Sequence, residues 1–449
     1  MKTAIDFGQL RKGLDAACTV KALGLVSDVV GLLVEVGGIS PFLGEMCLTR
    51  LADGRELQLE VVGFRRKKAL MMPLGFMDGV APGARVEATG VKAAAMAGPQ
   101  LKGRVVDGMG RPMDGLGELP PMARMPLSGG DINPLRRKRI TEPLDVGVRA
   151  INALIPLGKG QRIGIMAGSG VGKSVLLGMM ARYTKAGVSV IALIGERGRE
   201  VREFIEKDLG AEGLSKSVVV VATSDQPPLL RLRAAHLATT YAEYFRDKGE
   251  DVLLMMDSAT RVAMAQREVG LAAGEPPTTK GYTPSVFALL PKLLERAGNS
   301  EASGSITGIY TVLVEGDDMN DPVGDTMRSL LDGHIVLSRD LASRGHYPAI
   351  DLRHSVSRLM NDIAGRKQLE AAGRFLEVLS EYAQAEDLIN IGAYKRGSNP
   401  KIDLAIDMKE KMDTFLRQRL EQRSGYPESL RELHTLFDKE AQGKNEQRT

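Results

Sequence analysis

The chain has 449 residues, with 60 Lys and Arg against 56 Asp and Glu, for a net charge of +4. Such a length predicts about three domains, while near-balanced charge and a 4% aromatic share without Trp exclude nucleic acid as the principal ligand, since neither a basic field nor stacking platforms are supplied. No apolar run reaches the roughly 18 residues of a membrane-spanning helix, the opening MKTAIDFGQLRKG lacks a signal peptide's apolar stretch, and Cys18 and Cys47 have no metal-ligand spacing and fit small packed residues in a reducing cytoplasm.

In residues 1–25, Phe7, Leu10, Leu14 and Ala17 recur at helical spacing with Arg11, Lys12 and Asp15 on other faces. This predicts an amphipathic segment whose stripe packs against its own chain or a partner. Residues 26–95 hold short Val- and Leu-rich runs, such as VVGLLVEV and LQLEVVGF, broken by Gly, Asp and Pro. That pattern predicts a small closed β-barrel, with Arg65, Arg66, Lys67 and Lys68 in one of its solvated turns.

Residues 96–361 read as an α/β nucleotide-binding domain. INPLRRKRITEP (132–143) is its entry linker, with Pro near both ends. The runs Val188–Ile194, Val218–Ala222, Val252–Met256 and Ile309–Val314 are apolar without alternation, as in a parallel sheet covered on both faces. Residues 362–449 turn helical. Ser398, Asn399 and Pro400 give a start signal, and Ala405, Met408, Met412, Phe415 and Leu416 form one apolar face. The terminal EAQGKNEQRT is polar and reads as frayed.

Within the nucleotide region, IGIMAGSGVGKSVLLGMMARY (163–183) places a glycine-rich loop between an apolar strand and a helix carrying Leu176, Met179, Met180 and Tyr183 on one face. The loop Gly168, Ser169, Gly170, Val171, Gly172, Lys173, Ser174, Val175 is a nucleotide-phosphate site. Its glycines turn backbone N–H groups toward an anion, Lys173 adds a point charge beside the β/γ-phosphates, and Ser174 is positioned to ligate Mg²⁺. Ala167 stands where a first glycine is usual. DVLLMMDS (251–258) is an apolar strand ending in Asp257, assigned to the Mg²⁺ shell. The strand VSVIALIG runs into ERGREV, so Glu196 emerges at the same sheet edge, either to polarise the attacking water or to pair with Arg197 or Arg199.

From about Leu144 to Arg358 the chain resembles the catalytic core of the rotary ATP synthase α/β family, and PAIDLRHSVS (348–357) is similar to that family's signature segment. Residues 257–298 and 314–339 resemble more narrowly the family's flagellar protein-export ATPases, which drive type III secretion. The resemblance implies a RecA-like P-loop core between an N-terminal β-barrel and a C-terminal helical domain, acting on ATP with Mg²⁺. It implies that Glu196 is the catalytic carboxylate, that Arg197 and Arg261 approach the phosphates, and that Arg358 is inserted into the neighbouring subunit's site, against a structural pairing with a carboxylate. Tyr347 would stack on adenine, against the alternative of a solvent-capped core tyrosine. Tyr394 is a candidate for the other adenine face or for core packing. As partners the resemblance implies a homohexamer, a dimeric regulatory subunit at the N-terminus, a central stalk protein, export-gate membrane proteins and chaperone–substrate complexes, with no specific nucleic acid, and a cytoplasmic location peripheral to the membrane.

Overall fold

The computed structural model describes residues 22–130, 133–301, 303–314 and 321–446. The helical stripe Phe7, Leu10, Leu14 and Ala17, together with Cys18 and the acidic segment 315–320, lies outside the described residues. The described chain divides into two compact units, the barrel strands with residues 271–275 and the remaining described residues.

The first unit is a closed barrel of β1 (Leu23–Val30), β2 (Leu33–Gly37), β3 (Glu45–Arg50), β4 (Glu56–Arg65), β5 (Lys68–Pro73) and β6 (Arg85–Lys92), in the order β1-β2-β5-β4-β3-β6. Closure removes the unpaired edges that an open sheet of this size would expose. Alternation does the sorting: Leu57, Leu59 and Val61 of β4 point inward, where they meet Val34, Val36, Met71 and Val86. Cys47 is fully buried in this core. Burial, with Glu45 acting in the same direction, pushes its thiol up to about 12, so it is a packing residue and not a nucleophile. The basic cluster falls on the β4–β5 turn, where Arg66 and Lys67 take φ of 47° and 65°.

The second unit is built on a nine-stranded sheet. Its main strands are β7 (Arg104–Asp107), β8 (Arg162–Ala167), β9 (Val188–Ile194), β10 (Ser217–Ala222), β11 (Asp251–Asp257), β12 (Ser305–Leu313), β13 (Gly333–Leu337) and β14 (Ile350–Ser357). They lie in the order β14-β13-β8-β12-β11-β9-β10-β7. Every residue of β9 and β10 is buried, which is why these strands read as continuous apolar runs. All neighbours along this path are parallel except β14, which returns antiparallel beside β13. The C-terminal ends of β8, β9, β11, β12 and β13 therefore share one edge, where open α/β sheets place their ligands.

Helices α1 (Lys173–Tyr183), α2 (Pro228–Asp247) and α3 (Ala259–Ala273) follow β8, β10 and β11. Beyond the sheet come α4 (Arg366–Asn390), α5 (Pro400–Leu416) and α6 (Tyr426–Glu446). Asn399 caps α5, its side-chain oxygen accepting from Lys401 N at 2.9 Å, with Pro400 in the first turn. Ala405, Met408, Met412, Phe415 and Leu416 are all buried. They join Phe375 and Phe437 in the same core cluster as Leu176, Met179 and Met180 of α1, so the C-terminal helices pack on the core that seats the phosphate loop. The polar terminal stretch is not irregular as far as Glu446, because α6 continues through it.

One buried ion pair fastens α2 to the segment preceding the β12 edge. The Arg296 guanidinium donates to Glu243 at 2.9 and 2.6 Å, to Thr240 Oγ1 at 2.8 Å and to Leu127 O at 2.8 Å. The two side chains are 8% and 6% exposed. His236 lies beside them; burial first, and then the guanidinium, pushes its pKa down to about 4, so it stays neutral and adds no competing charge. Glu243→Gln should cost about 3 to 5 kcal/mol of stability, because it leaves a buried cation without its counter-charge. Chemical denaturation checks this, and a loss under about 1 kcal/mol would show that the guanidinium is satisfied by its neutral partners alone.

Candidate functional site

The phosphate loop leaves β8 at Ala167, which is buried and paired with both Leu313 of β12 and Leu337 of β13. Ala167 is still strand backbone without positive φ, so the missing glycine costs nothing there. Gly170 and Gly172 do need their freedom, with φ of 78° and 84°. A Cβ on Gly172 would also come within 3.3 Å of the Tyr347 ring. The first residue of α1 is Lys173, so free N–H groups of that helix open onto the loop.

Lys173 Nζ lies 2.5 Å from Asp257 Oδ1 and 3.2 Å from Glu196 Oε1. Thr311 of β12, the strand between β8 and β11, donates to the same Asp257 oxygen at 2.6 Å. Burial works against the ammonium, yet Asp257 and Glu196 outweigh it and hold the lysine pKa above its usual value. Glu196 moves upward too, by burial first, with the Asp257 charge adding to it and Lys173 opposing it. These carboxylates arrive from different strands at one height, since Leu193 of β9 is in register with Asp257.

The side chains open onto a cavity of about 690 Å³ lined by the loop, Glu196, Arg197, Asp257 and Arg261. Arg197 is 83% exposed, with Glu200 at 3.8 Å as its ion-pair partner. Arg261 Nε is buried without a hydrogen bond among the described residues. A second cavity, of about 840 Å³, holds Tyr347, Val175, Met179, Thr414, Arg417 and Leu420 and shares Gly172 with the first. Tyr347 is 45% exposed there. Its backbone carbonyl accepts from Gln418 N at 3.0 Å. Gln418 in turn accepts from Arg149 N at 2.7 Å and donates to Gly147 O at 2.8 Å.

Two sequence candidates lie elsewhere in the chain. Tyr394 sits in the loop between α4 and α5, bonded to Asn399 O and Asp403 at 3.0 Å. The segment beside Tyr347 follows the other end of α5, which is 17 residues long, so about 25 Å of helix separates them. Tyr394 does not join Tyr347; residues 414–422 fill that place. Arg358 is exposed, its backbone N–H bonded to Asp332 O at 3.0 Å, while Asp332 N bonds Arg162 O at 2.8 Å. Arg162 begins the strand whose far end carries the phosphate loop. Arg358 thus stands on the opposite sheet edge, roughly 17 Å of strand from its own loop.

Sequence reading missed several residues that line the phosphate cavity, among them Glu200, Phe204, Ser224 and Arg339. Glu200 carried a weak signal as the second acid of GERGRE. The others follow strands or sit on a helix whose approach to the loop depends on sheet order.

The chain matches three family models in succession: the β-barrel domain of the ATP synthase alpha/beta family at residues 26–90, its nucleotide-binding domain at 147–357, and the T3SS EscN ATPase C-terminal domain at 364–435. It is 54% identical over 424 residues to the flagellum-specific ATP synthase of Bacillus subtilis, covering 94% of this chain and 96% of that one. It is 49% identical over 430 residues to the type 3 secretion system ATPase of Xanthomonas euvesicatoria, covering 96% and 97%. Among solved structures it is similar to the assembled ATPase EscN of the enteropathogenic E. coli type III secretion system, with 43% identity, a TM-score of 0.87, and coverage of 92% of this chain and 99% of that one. With a glycine-rich loop, a lysine and two acidic residues brought to one sheet edge, and with relatives aligned along nearly its whole length, the chain is an ATPase of the ATP synthase alpha/beta family, in the branch of flagellum-specific ATP synthases and type III secretion ATPases.

Proposed function

We propose that this chain hydrolyses MgATP as a ring of identical copies that energises flagellar type III protein export, each copy having a barrel, a nucleotide core and a helical C-terminal domain. The observation that carries the ring is the separation of Arg358 from its own phosphate loop by the length of β8. A neighbour of the same sequence can supply that arginine, and the EscN relative was solved as an assembled ATPase.

In each site the loop N–H groups and Lys173 hold the polyphosphate. Its oxygens compete with Asp257 and Glu196 for the ammonium, so binding frees those carboxylates to face water. Glu196 then orients and polarises the attacking water at the γ-phosphate. Arg197 and Arg261 border the phosphates, and the neighbour's Arg358 neutralises charge spreading over the transferring group, an effect worth roughly 10³ to 10⁵ in rate. Tyr347 stacks on the base, with residues 414–422 across from it.

A magnesium ion fits the donors present: the Ser174 hydroxyl and the Asp257 carboxylate, both on the cavity lining, with Asp257 Oδ1 taken by Lys173 and Thr311. Those residues contain no cluster of three His, Cys, Asp or Glu that could hold a metal, which suits a cation held largely by substrate oxygens and water. Held by Ser174 and Asp257, such an ion would supply Lewis-acid neutralisation of the charge that develops on the phosphate oxygens.

The proposed partners beyond the ring are a dimeric regulatory subunit at the N-terminus, a central stalk, export-gate membrane proteins and chaperone–substrate complexes. The stalk is supported by EscN solved with its central stalk EscO. Among the described residues no helix is long and apolar enough to cross a membrane, and we place the ring in the cytoplasm, peripheral to the export apparatus. The second reading, the ATPase of a non-flagellar type III system, is favoured by the Xanthomonas euvesicatoria relative. Deletion of the gene decides between them by whether motility or another secretion phenotype is lost.

Lys173→Ala should abolish nucleotide binding and turnover together, whereas Glu196→Gln should bind MgATP and fail to hydrolyse it, because an amide can fill the pocket without polarising water. Calorimetric titration beside phosphate release reads both. A Glu196→Gln protein turning over at near the wild-type rate would remove the role assigned to the carboxylate.

Mixing tests the shared site. Glu196→Gln and Arg358→Ala chains are each expected to be inactive, yet a co-assembled ring contains some interfaces with both residues intact, so the mixture should regain part of the activity. If rings verified as mixed stay as inactive as either parent, titrating single mutant copies into wild-type rings separates an arginine acting within its own subunit from a ring that fires only when every neighbour is intact.

A further inference from the structure

The phosphate cavity has one cation that neither the resemblance nor the mechanism above employs. Arg339 lines it together with Lys173, Arg197 and Arg261. Strand register explains how it gets there: Leu337 of β13 pairs with Ala167, the residue from which the phosphate loop departs, and Arg339 follows two residues later. In the sheet order, β13 lies on one side of β8, while β11 and β9, which carry Asp257 and lead to Glu196, lie on the other. Arg339 therefore approaches the loop from the flank opposite the two carboxylates.

Among the described residues its side chain is also uncommitted. Lys173 is held by Asp257 and Glu196, and Arg197 has Glu200. Arg339 is exposed and makes no hydrogen bond or ion pair with the described residues, whereas Arg162 and Arg296 of the same unit are paired. Its backbone is fixed: Ser338 caps the turn that begins with Arg339, accepting from Leu341 N at 3.3 Å, and Ser338 N bonds Ala349 O at 2.8 Å. A guanidinium anchored at its base, without a partner among the described residues, and set on the same cavity as an anion-binding loop is arranged for phosphate oxygens.

We infer that Arg339 binds the nucleotide polyphosphate from the flank opposite Glu196 and Asp257, acting in ground-state binding and not in the chemical step. The inference rests on the nucleotide-hydrolysing reading of this site. Because the contact is remote from the attacking water, it holds substrate and transition state alike, so its loss raises KM and leaves kcat in place.

The test uses full-length protein with MgATP and MgADP as probes. Arg339→Gln should weaken both by about tenfold or more, the scale of one charge-assisted hydrogen bond, with kcat within about twofold of wild type. Arg339→Lys, which keeps the charge, should retain most of the affinity. Equal losses in the Gln and Lys variants would assign the residue to local structure and overturn the proposal. Unchanged affinity in Arg339→Gln would overturn it as well, as would a fall in kcat at constant KM. Lys173→Ala, run in parallel, keeps the two readings apart: nucleotide binding that survives in that variant refutes the site itself, whereas its loss beside an unaffected Arg339→Gln refutes only the role of Arg339.

Discussion

Everything in the nucleotide unit converges on one buried ammonium. Lys173 is enclosed between Asp257 and Glu196 at 2.5 and 3.2 Å, and those two carboxylates hold the ammonium pKa above its usual value in spite of burial. Desolvation alone would drive the lysine toward neutrality and Glu196 toward protonation. Lys173 opposes the second shift, but burial and the Asp257 charge leave the glutamate above its ordinary range. In the proposed function polyphosphate takes over the ammonium, so the ion pairs of Lys173 would couple nucleotide arrival to release of the two carboxylates.

Holding three charges at that spacing demands a rigid support, and the sheet provides it. Asp257 and the approach to Glu196 lie on strands whose residues are almost all buried, so their ends cannot shift without disturbing the core. The cavity around Tyr347 is built differently. Tyr347 and residues 414–422 are linked through Gln418 to Arg149 and Gly147, and α5, which leads into that segment, shares its core with α1. The linings of the two cavities thus stand on elements of one continuous packed core, and an interior at crystal-like density transmits displacement between them.

How much of this was legible in the residues themselves depends on burial. β9, β10 and β11 could be read directly because both faces are covered and the runs are apolar throughout, whereas β7 and β14 sit at the sheet edges, where half-exposed strands lose that pattern. Lys173, Asp257 and Glu196 were legible because each follows or ends a recognisable strand. Arg339 and Ser224 carry no comparable mark, since their nearness to the loop arises from strand neighbours distant in sequence. Tyr394 shows the opposite failure: an aromatic residue in the right helical region, placed at the wrong end of α5.

Local chemistry, then, was determined by sequence alone: the phosphate loop, its lysine, the two acids, the barrel's alternation and the capped start of α5. These follow from spacing and residue type because backbone geometry converts them into structure within a few residues. Tertiary structure decided what depends on sheet order and on which loop folds back. It set Thr311 against Asp257, Gln418 N on Tyr347 O and Leu337 beside Ala167, with Arg339 two residues beyond, and it put Arg358 at the edge away from its own loop. Contacts of that kind join residues tens to hundreds of positions apart, and only the packing of the whole core selects among the strand orders that the same local patterns allow.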